Sequence, residues 1–177
     1  SKNHKDFSAI EHGRGCVNNC SFCSVWKLMS QDNRPCYRTK SPEKSYEETE
    51  ILVKKYRRKT LNWTDGTYNA DPHWSKTYSQ LLLDNNIDIK QTTWMRSDLI
   101  IRDEKQGILK RMVDAGLVQT VIGAERVDDD DLKNINKKNS FSLLKSNFTS
   151  FVFSILKTRY IMLGEKHINV MIKSLFI

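Results

Sequence analysis

With 177 residues, 38% of them hydrophobic and 28% charged, the chain has the make-up of one globular domain and is too short for two well-developed ones. No run approaches the roughly 18 uninterrupted apolar residues of a membrane helix, and the opening Ser1-Lys-Asn-His-Lys-Asp6 lacks the apolar centre of a secretory signal, which points to the cytoplasm. The net charge of +8 divides evenly, +4 over residues 1–138 and +4 over residues 139–177; in the first part the basic residues are mixed with acids, as on a solvated helix face, so no nucleic-acid partner is expected.

In chain order, Phe7–Glu11 reads as an opening strand, and a loop crowded with cysteines follows it. A helix is predicted from about Ser45, where Ser45-Tyr-Glu-Glu48 forms a capping box and Ile51, Leu52 and Tyr56 follow at helical spacing. Thr60–Thr64 reads as a strand ending in the turn Asp65-Gly66. Asp71 then caps a helix that has Pro72 in its first turn and an apolar side of Trp74, Tyr78, Leu81 and Leu82. Ile87–Trp94 reads as the next strand. Asp103 is expected to cap a helix bearing Ile108, Leu109, Met112 and Val113, with Gly116 just past its end. Leu117–Ile122 is a further strand, and Asp128–Lys137 a short charged helix with Leu132 and Ile135. The run Asp128–Asp131 is read as helix capping favoured by the macrodipole rather than as a cation site.

Strands near residues 60, 88 and 118 recur at about the length of one βα unit in a parallel sheet. The expected fold is therefore α/β: a partial (β/α) TIM-type barrel of parallel strands. The cysteine loop, Asp65, Arg96 and Glu125 all fall just after strand ends, where such folds keep their chemistry. Residues 1–138 form the expected core, with about four βα units. Residues 139–177 hold five of the seven Phe and one acid and read as an atypical tail, either an apolar packing helix followed by a strand at Tyr160–Leu163 or the product of a shifted reading frame.

The chemistry is concentrated in Gly13-Arg-Gly-Cys16-Val-Asn-Asn-Cys20-Ser-Phe-Cys23, a C-x3-C-x2-C pattern. Four cysteines, three of them within eight residues, do not make a disulfide frame; crowding of this kind points to metal or redox chemistry. Three thiolates on one loop can each take one iron of a cube and leave the fourth iron without a protein ligand, whereas an electron-transfer cluster wants a fourth cysteine. Gly13 and Gly15 let the backbone turn beside such a cluster. A structural zinc site completed by Cys36, His12 or His73 and a four-cysteine cluster using Cys36 remain open alternatives, and Cys36 is otherwise a plain thiol.

C-x3-C-x2-C with the aromatic Phe22 before the last cysteine resembles the signature of the radical SAM superfamily. The stretches Cys23–Met29, Tyr37–Pro42, Trp63–Asp71 and Ile122–Arg126 are similar to the cobalamin-dependent class of that superfamily, and within it to the anaerobic magnesium-protoporphyrin IX monomethyl ester cyclase group. The likeness covers about residues 7–138. It implies that Cys16, Cys20 and Cys23 bind a [4Fe–4S] cluster whose open iron chelates S-adenosylmethionine (SAM), and that reduction cleaves SAM to methionine and a 5′-deoxyadenosyl radical. It implies further that Phe22 lies near the adenine, that Asp65 holds the SAM amine, that Arg96 pairs with its carboxylate and that Glu125 makes a polar contact to SAM. A small-molecule substrate and a reductant such as flavodoxin or ferredoxin would be the partners.

The chain departs from the family pattern in several places: barrels of that class usually have six βα units, while four are legible here. Nothing in the chain reads as a cobalamin-binding domain, so cobalamin is implied only for a longer parent protein. Gly66 stands where relatives often carry a second acid. Two further readings stay open beside the enzyme: a non-catalytic zinc or iron–sulfur module, and a truncated, inactive fragment. The four Trp are read as core or rim aromatics, with Trp26 near enough to the cysteines to line a cofactor pocket.

Overall fold

A computed structural model describes residues 6–30, 32–122 and 129–137. Four strands, β1 (Phe7–Ile10), β4 (Thr60–Trp63), β5 (Lys90–Met95) and β6 (Leu117–Ile122), form one parallel sheet in the order β1-β4-β5-β6. Ile10 stands beside Trp63, Asn62 beside Thr92, and Trp94 beside Val121. All four C-terminal ends therefore lie along one edge. Between β1 and β4 the chain makes a small antiparallel pair, β2 (Gly13–Gly15) with β3 (Tyr37–Thr39), and a short helix α1 (Ser24–Leu28). The remaining helices are α2 (Pro42–Lys54), α3 (Pro72–Asp84), α4 (Ser97–Lys105), α5 (Ile108–Asp114) and α6 (Asp129–Asn134). The fold is α/β, with helices between successive parallel strands, as the spacing of the strand signals implies. Among the described residues no helix is long and apolar enough to cross a membrane.

Strand alternation decides what is buried. Leu61, Trp63, Gln91, Thr93, Met95 and Leu117 are enclosed, while Trp94 and Val121 on the opposite face remain about half exposed. Trp63, Trp74, Tyr68 and Tyr78 pack as an aromatic knot, with Trp74 stacked on Tyr78 at 4.8 Å and set edge-on to Trp63 at 5.7 Å. The polar Gln91 is tolerated in this core because both ends of its amide are used: its oxygen accepts from Trp63 Nε1 (2.8 Å) and its nitrogen donates to the Ala115 carbonyl (2.9 Å).

Several sequence expectations need correction. Helix α2 starts earlier than Ser45, with Ser41 as its cap accepting from Lys44 N–H and Pro42 in the first turn. Ser45 lies inside the helix and donates its hydroxyl to the Ser41 carbonyl. A serine followed by proline thus outcompeted the capping box, since proline's missing N–H costs nothing at a helix start. Ile51 and Tyr56 are half exposed, and α2 buries Ser45 and Thr49 instead. The strand expected from Ile87 begins at Lys90.

Asp103 caps nothing. It sits buried near the end of α4, bound by Asn69 and Arg102, and Gly107 (φ +69°) separates α4 from α5. Asp71 does cap α3, accepting from His73 and Trp74 N–H, and Gly116 (φ +101°) follows α5 in the left-handed conformation that glycine permits. The expected tail, residues 139–177, lies outside the described residues, as do Glu125 and Arg126.

Candidate metal and cofactor site

The cysteine loop begins where β1 ends. Thr64 N–H still pairs with the Ile10 carbonyl (2.9 Å), one residue beyond β4, and then the chain leaves the sheet. His12 and Gly13 give their N–H groups to Asp65 Oδ1, and β2 turns away to pair with β3. Gly15 takes φ +89°, and a side chain there would strike the Cys36 carbonyl; the close approach lets Cys16 N–H reach that same carbonyl at 3.2 Å. Beyond Cys16 the loop closes on itself through Cys23 N–H to the Cys20 carbonyl (3.2 Å), and Trp26 Nε1 donates to that carbonyl at 2.8 Å. Cys23 then enters α1 as its N-terminal flanking residue.

All three thiols are free, Cys16 and Cys20 buried and Cys23 half-buried. Cys16 Sγ lies 3.4 Å from the Thr67 hydroxyl, and Arg96 Nη1 points at Cys20 Sγ at 4.0 Å. Ser21 N–H donates to the Ile135 carbonyl at 3.0 Å. The segments following β4, β5 and β6 thus each touch the loop that follows β1. Parallel strands made this convergence possible by putting every strand end on one edge.

Arg96 flanks the start of α4, and its guanidinium is clamped by Asp98, with Nε 3.0 Å from Oδ1 and Nη2 3.1 Å from Oδ2. Burial works against its charge, but Asp98 and the neighbouring Cys16 and Cys20 outweigh that, so its pKa is raised. Asn69 holds this helix end in place: its oxygen accepts from Arg96 N–H (3.3 Å) and its nitrogen donates to Asp103 (2.9 Å). Phe22 is half exposed, with Lys137 Nζ 5.9 Å from its ring centre.

Asp65 is fully enclosed. Burial pushes its pKa up to about 6 against the pull of the His12 and Gly13 N–H groups. Its second oxygen, Oδ2, is buried with no hydrogen-bond partner among the described residues. Gly66 packs on α1, where an added Cβ would press on Val25 at 2.9 Å and lie 3.4 Å from the Gly15 carbonyl. The second acid of the family pattern is therefore replaced by a contact that seats α1 against β2.

His12 was a candidate metal ligand, and the structure uses it otherwise. The ring is stacked on Trp74 at 3.5 Å; Nε2 faces the Tyr68 carbonyl at 3.1 Å and Nδ1 the Thr39 hydroxyl at 3.1 Å. A carbonyl only accepts, so Nε2 carries the proton and Nδ1 is bare. Burial lowers its pKa to about 3, and the 3.4 Å approach of Nε2 to Asp65 is not an ion pair at neutral pH. Among the described residues, no three His, Cys, Asp or Glu side chains are gathered so as to hold one metal ion. Sequence reasoning missed Thr67, Asn69 and Thr39. Thr67 and Asn69 follow β4 within the same strand-end segment as Asp65, and that position was the available signal.

The sequence profile of the radical SAM superfamily matches residues 10–152. The chain belongs to that superfamily. Among curated proteins it is similar to the anaerobic magnesium-protoporphyrin IX monomethyl ester cyclase of Rubrivivax gelatinosus, 29% identical over 141 residues, which is 76% of this chain and 24% of that protein. Among solved structures it is similar to the cobalamin-dependent radical SAM enzyme OxsB with aqua-cobalamin and SAM bound (TM-score 0.63, 19% identity, 76% of this chain and 20% of that one). It is also similar to the radical SAM methyltransferase TsrM of Kitasatospora setae with cobalamin and a [4Fe–4S] cluster bound (TM-score 0.62, 13% identity, 86% of this chain and 27% of that one). At these identities the two structures support the fold alone. The radical SAM chain spans about a quarter of the length of its curated relative.

Proposed function

We propose that this chain is the core of a radical SAM enzyme in which Cys16, Cys20 and Cys23 hold a [4Fe–4S] cluster, leaving one iron for SAM. The observation that carries the reading is the convergence of three strand-end segments on the cysteine loop, with Thr67 and Arg96 contacting two of its thiols. The donor set fits the group: three free thiols, two of them buried, beside a hydroxyl and a guanidinium that suit anionic sulfurs. The cluster and SAM together supply reductive cleavage of the sulfonium and the radical that follows.

The protein's own residues bind, orient and exclude water. Arg96, clamped by Asp98 and leaning on Cys20, offers a fixed cation for the SAM carboxylate. Phe22 offers an exposed aromatic face for the adenine. Glu125, outside the described residues, is assigned a polar contact to SAM by the family resemblance. The core is assigned to residues 1–138 and works in the cytoplasm on a small organic substrate, with a flavodoxin- or ferredoxin-type reductant. Cobalamin, bound by the two structural neighbours, is assigned to a longer parent protein.

The test is anaerobic reconstitution with iron and sulfide, followed by dithionite and SAM. The reading requires methionine and 5′-deoxyadenosine in equal amounts. A protein that carries a full cluster and forms neither product is an inactive fragment.

A further inference from the structure

The strand end after β4 carries a buried carboxylate that the proposed chemistry leaves without a settled task. Ile10 and Trp63 are the last paired residues of β1 and β4, and Thr64 N–H extends that pairing by one residue. Immediately beyond, the chain entering the cysteine loop changes partner from β4 to β3: Lys40 N–H meets the His12 carbonyl at 2.8 Å, and Gly13 pairs with Thr39. At such a crossing the N–H groups of His12 and Gly13 lose their ladder. Both are inside the protein, and both go to one atom, Asp65 Oδ1. Buried N–H groups left without an acceptor are rare because each keeps its full desolvation penalty.

The surroundings lock this arrangement. The imidazole of His12, stacked on Trp74 and tied to Tyr68 and Thr39, closes over Oδ1. The Tyr37 ring sits against Gly13 with no room for a side chain between them. Three residues after Gly13 comes Cys16.

Resting on the radical SAM reading above, we infer that Asp65 is a positioning residue: its carboxylate fixes the point at which the chain leaves the sheet, and thereby the place of Cys16, rather than binding the SAM amine. The side chain has no exposed surface, and one oxygen is shared by two backbone donors. The unpartnered Oδ2 is the atom an ammonium group would need, and the experiment is built around it.

Asp65→Ala removes the acceptor. Asp65→Asn keeps an oxygen that can accept both N–H groups but removes the charge an amine would seek. Thr49→Val, which deletes a buried hydroxyl contact to Tyr78 (2.9 Å) between α2 and α3, controls for general destabilisation. In the metal-free full chain, Asp65→Ala should speed amide exchange at residues 12 and 13 by roughly tenfold or more, as loss of a buried partner favours local opening. After anaerobic reconstitution it should hold less than about half of the wild-type iron. Asp65→Asn should keep slow exchange, full iron, and SAM affinity within about threefold of wild type, since no charge pair is lost. Thr49→Val should match wild type in exchange at residues 12 and 13 and in iron content.

Unchanged exchange and full iron in Asp65→Ala would overturn the inference. So would an Asp65→Asn protein that loads fully but binds SAM roughly tenfold or more weakly, the mark of a lost charge-assisted contact. If the wild-type chain takes up no four-iron cluster, the functional reading fails by itself, and the exchange comparison still decides the role of Asp65.

Discussion

Gly15→Ala is the substitution whose consequence can be worked out most fully. At φ +89° an alanine carries the left-handed penalty of about 1–2 kcal/mol. Its Cβ would also lie 2.0 Å from the Cys36 carbonyl oxygen, where ordinary contact begins near 3.4 Å, so β2 and the Cys36 backbone must part by more than an ångström. That separation breaks the Cys16 N–H bond to Cys36 (3.2 Å), adding about 1 kcal/mol. The total, roughly 2–3 kcal/mol, is a large share of the 5–15 kcal/mol that holds a typical domain folded.

Gly107 is the matched control. Its φ is +69°, and nothing lies within 4 Å of an added Cβ, so Gly107→Ala carries only the backbone penalty of about 1 kcal/mol. Thermal melts should fall by about 2–4 °C for Gly107→Ala and about two to three times as far for Gly15→Ala. Iron uptake after anaerobic reconstitution should be normal in the first and impaired in the second. Equal destabilisation by the two alanines, or full iron uptake by Gly15→Ala, would refute the claim that this glycine sets the position of Cys16.

Stability should depend on pH through two groups that work in opposite senses. His12, lowered to about 3, takes a proton in the unfolded chain below about pH 6.5 but not in the fold, so its contribution is lost as pH falls from 6.5 toward 3. Asp65, raised to about 6, contributes stability that is present below its unfolded value and lost as pH rises through 6. Between about pH 4 and 6 the two slopes, each about 1.4 kcal/mol per pH unit, oppose one another. Asp65→Asn removes one of them, so chemical denaturation should show it losing roughly 2 kcal/mol relative to wild type between pH 6 and pH 4; a pH-independent difference would refute this. Arg96→Gln removes a cation beside Cys20 and should shift the cluster potential negative by on the order of tens of millivolts, read by redox titration followed by electron paramagnetic resonance (EPR). Trp74→Ala, emptying a fully buried position stacked on both His12 and Tyr78, should cost about 3–5 kcal/mol in denaturant unfolding.

What was legible in the sequence followed from strong local chemistry. The parallel strands announced themselves by apolar runs at βα spacing, and Asp71-Pro72 and Gly116 by backbone demands that few residues satisfy. The cysteine spacing pointed to the loop, and the register of the sheet brought Thr67 and Arg96 onto it. Competition between two good local signals defeated one helix start, Ser41-Pro42 against the box at Ser45; α4 opens at Arg96 with no side-chain cap, so no local signal marked its start. The pairing of β2 with β3 was invisible because three-residue strands carry no period, and their contact depends on Gly15 approaching Cys36 across a long insertion. His12 and Asp65 were visible as chemical groups but not as neighbours, since 53 positions separate them and only the partner change at the end of β1 explains the contact.

The central claim is that three thiols of one loop hold a cube with one corner free. Iron and sulfide counted in the anaerobically reconstituted chain, together with the EPR spectrum of the reduced protein before and after SAM, test it most directly. The account predicts about four irons and four sulfides per chain, loss of the cluster in Cys20→Ala, and a spectrum that changes when SAM is added. One zinc per chain in place of iron, or a cluster spectrum indifferent to SAM, would contradict it.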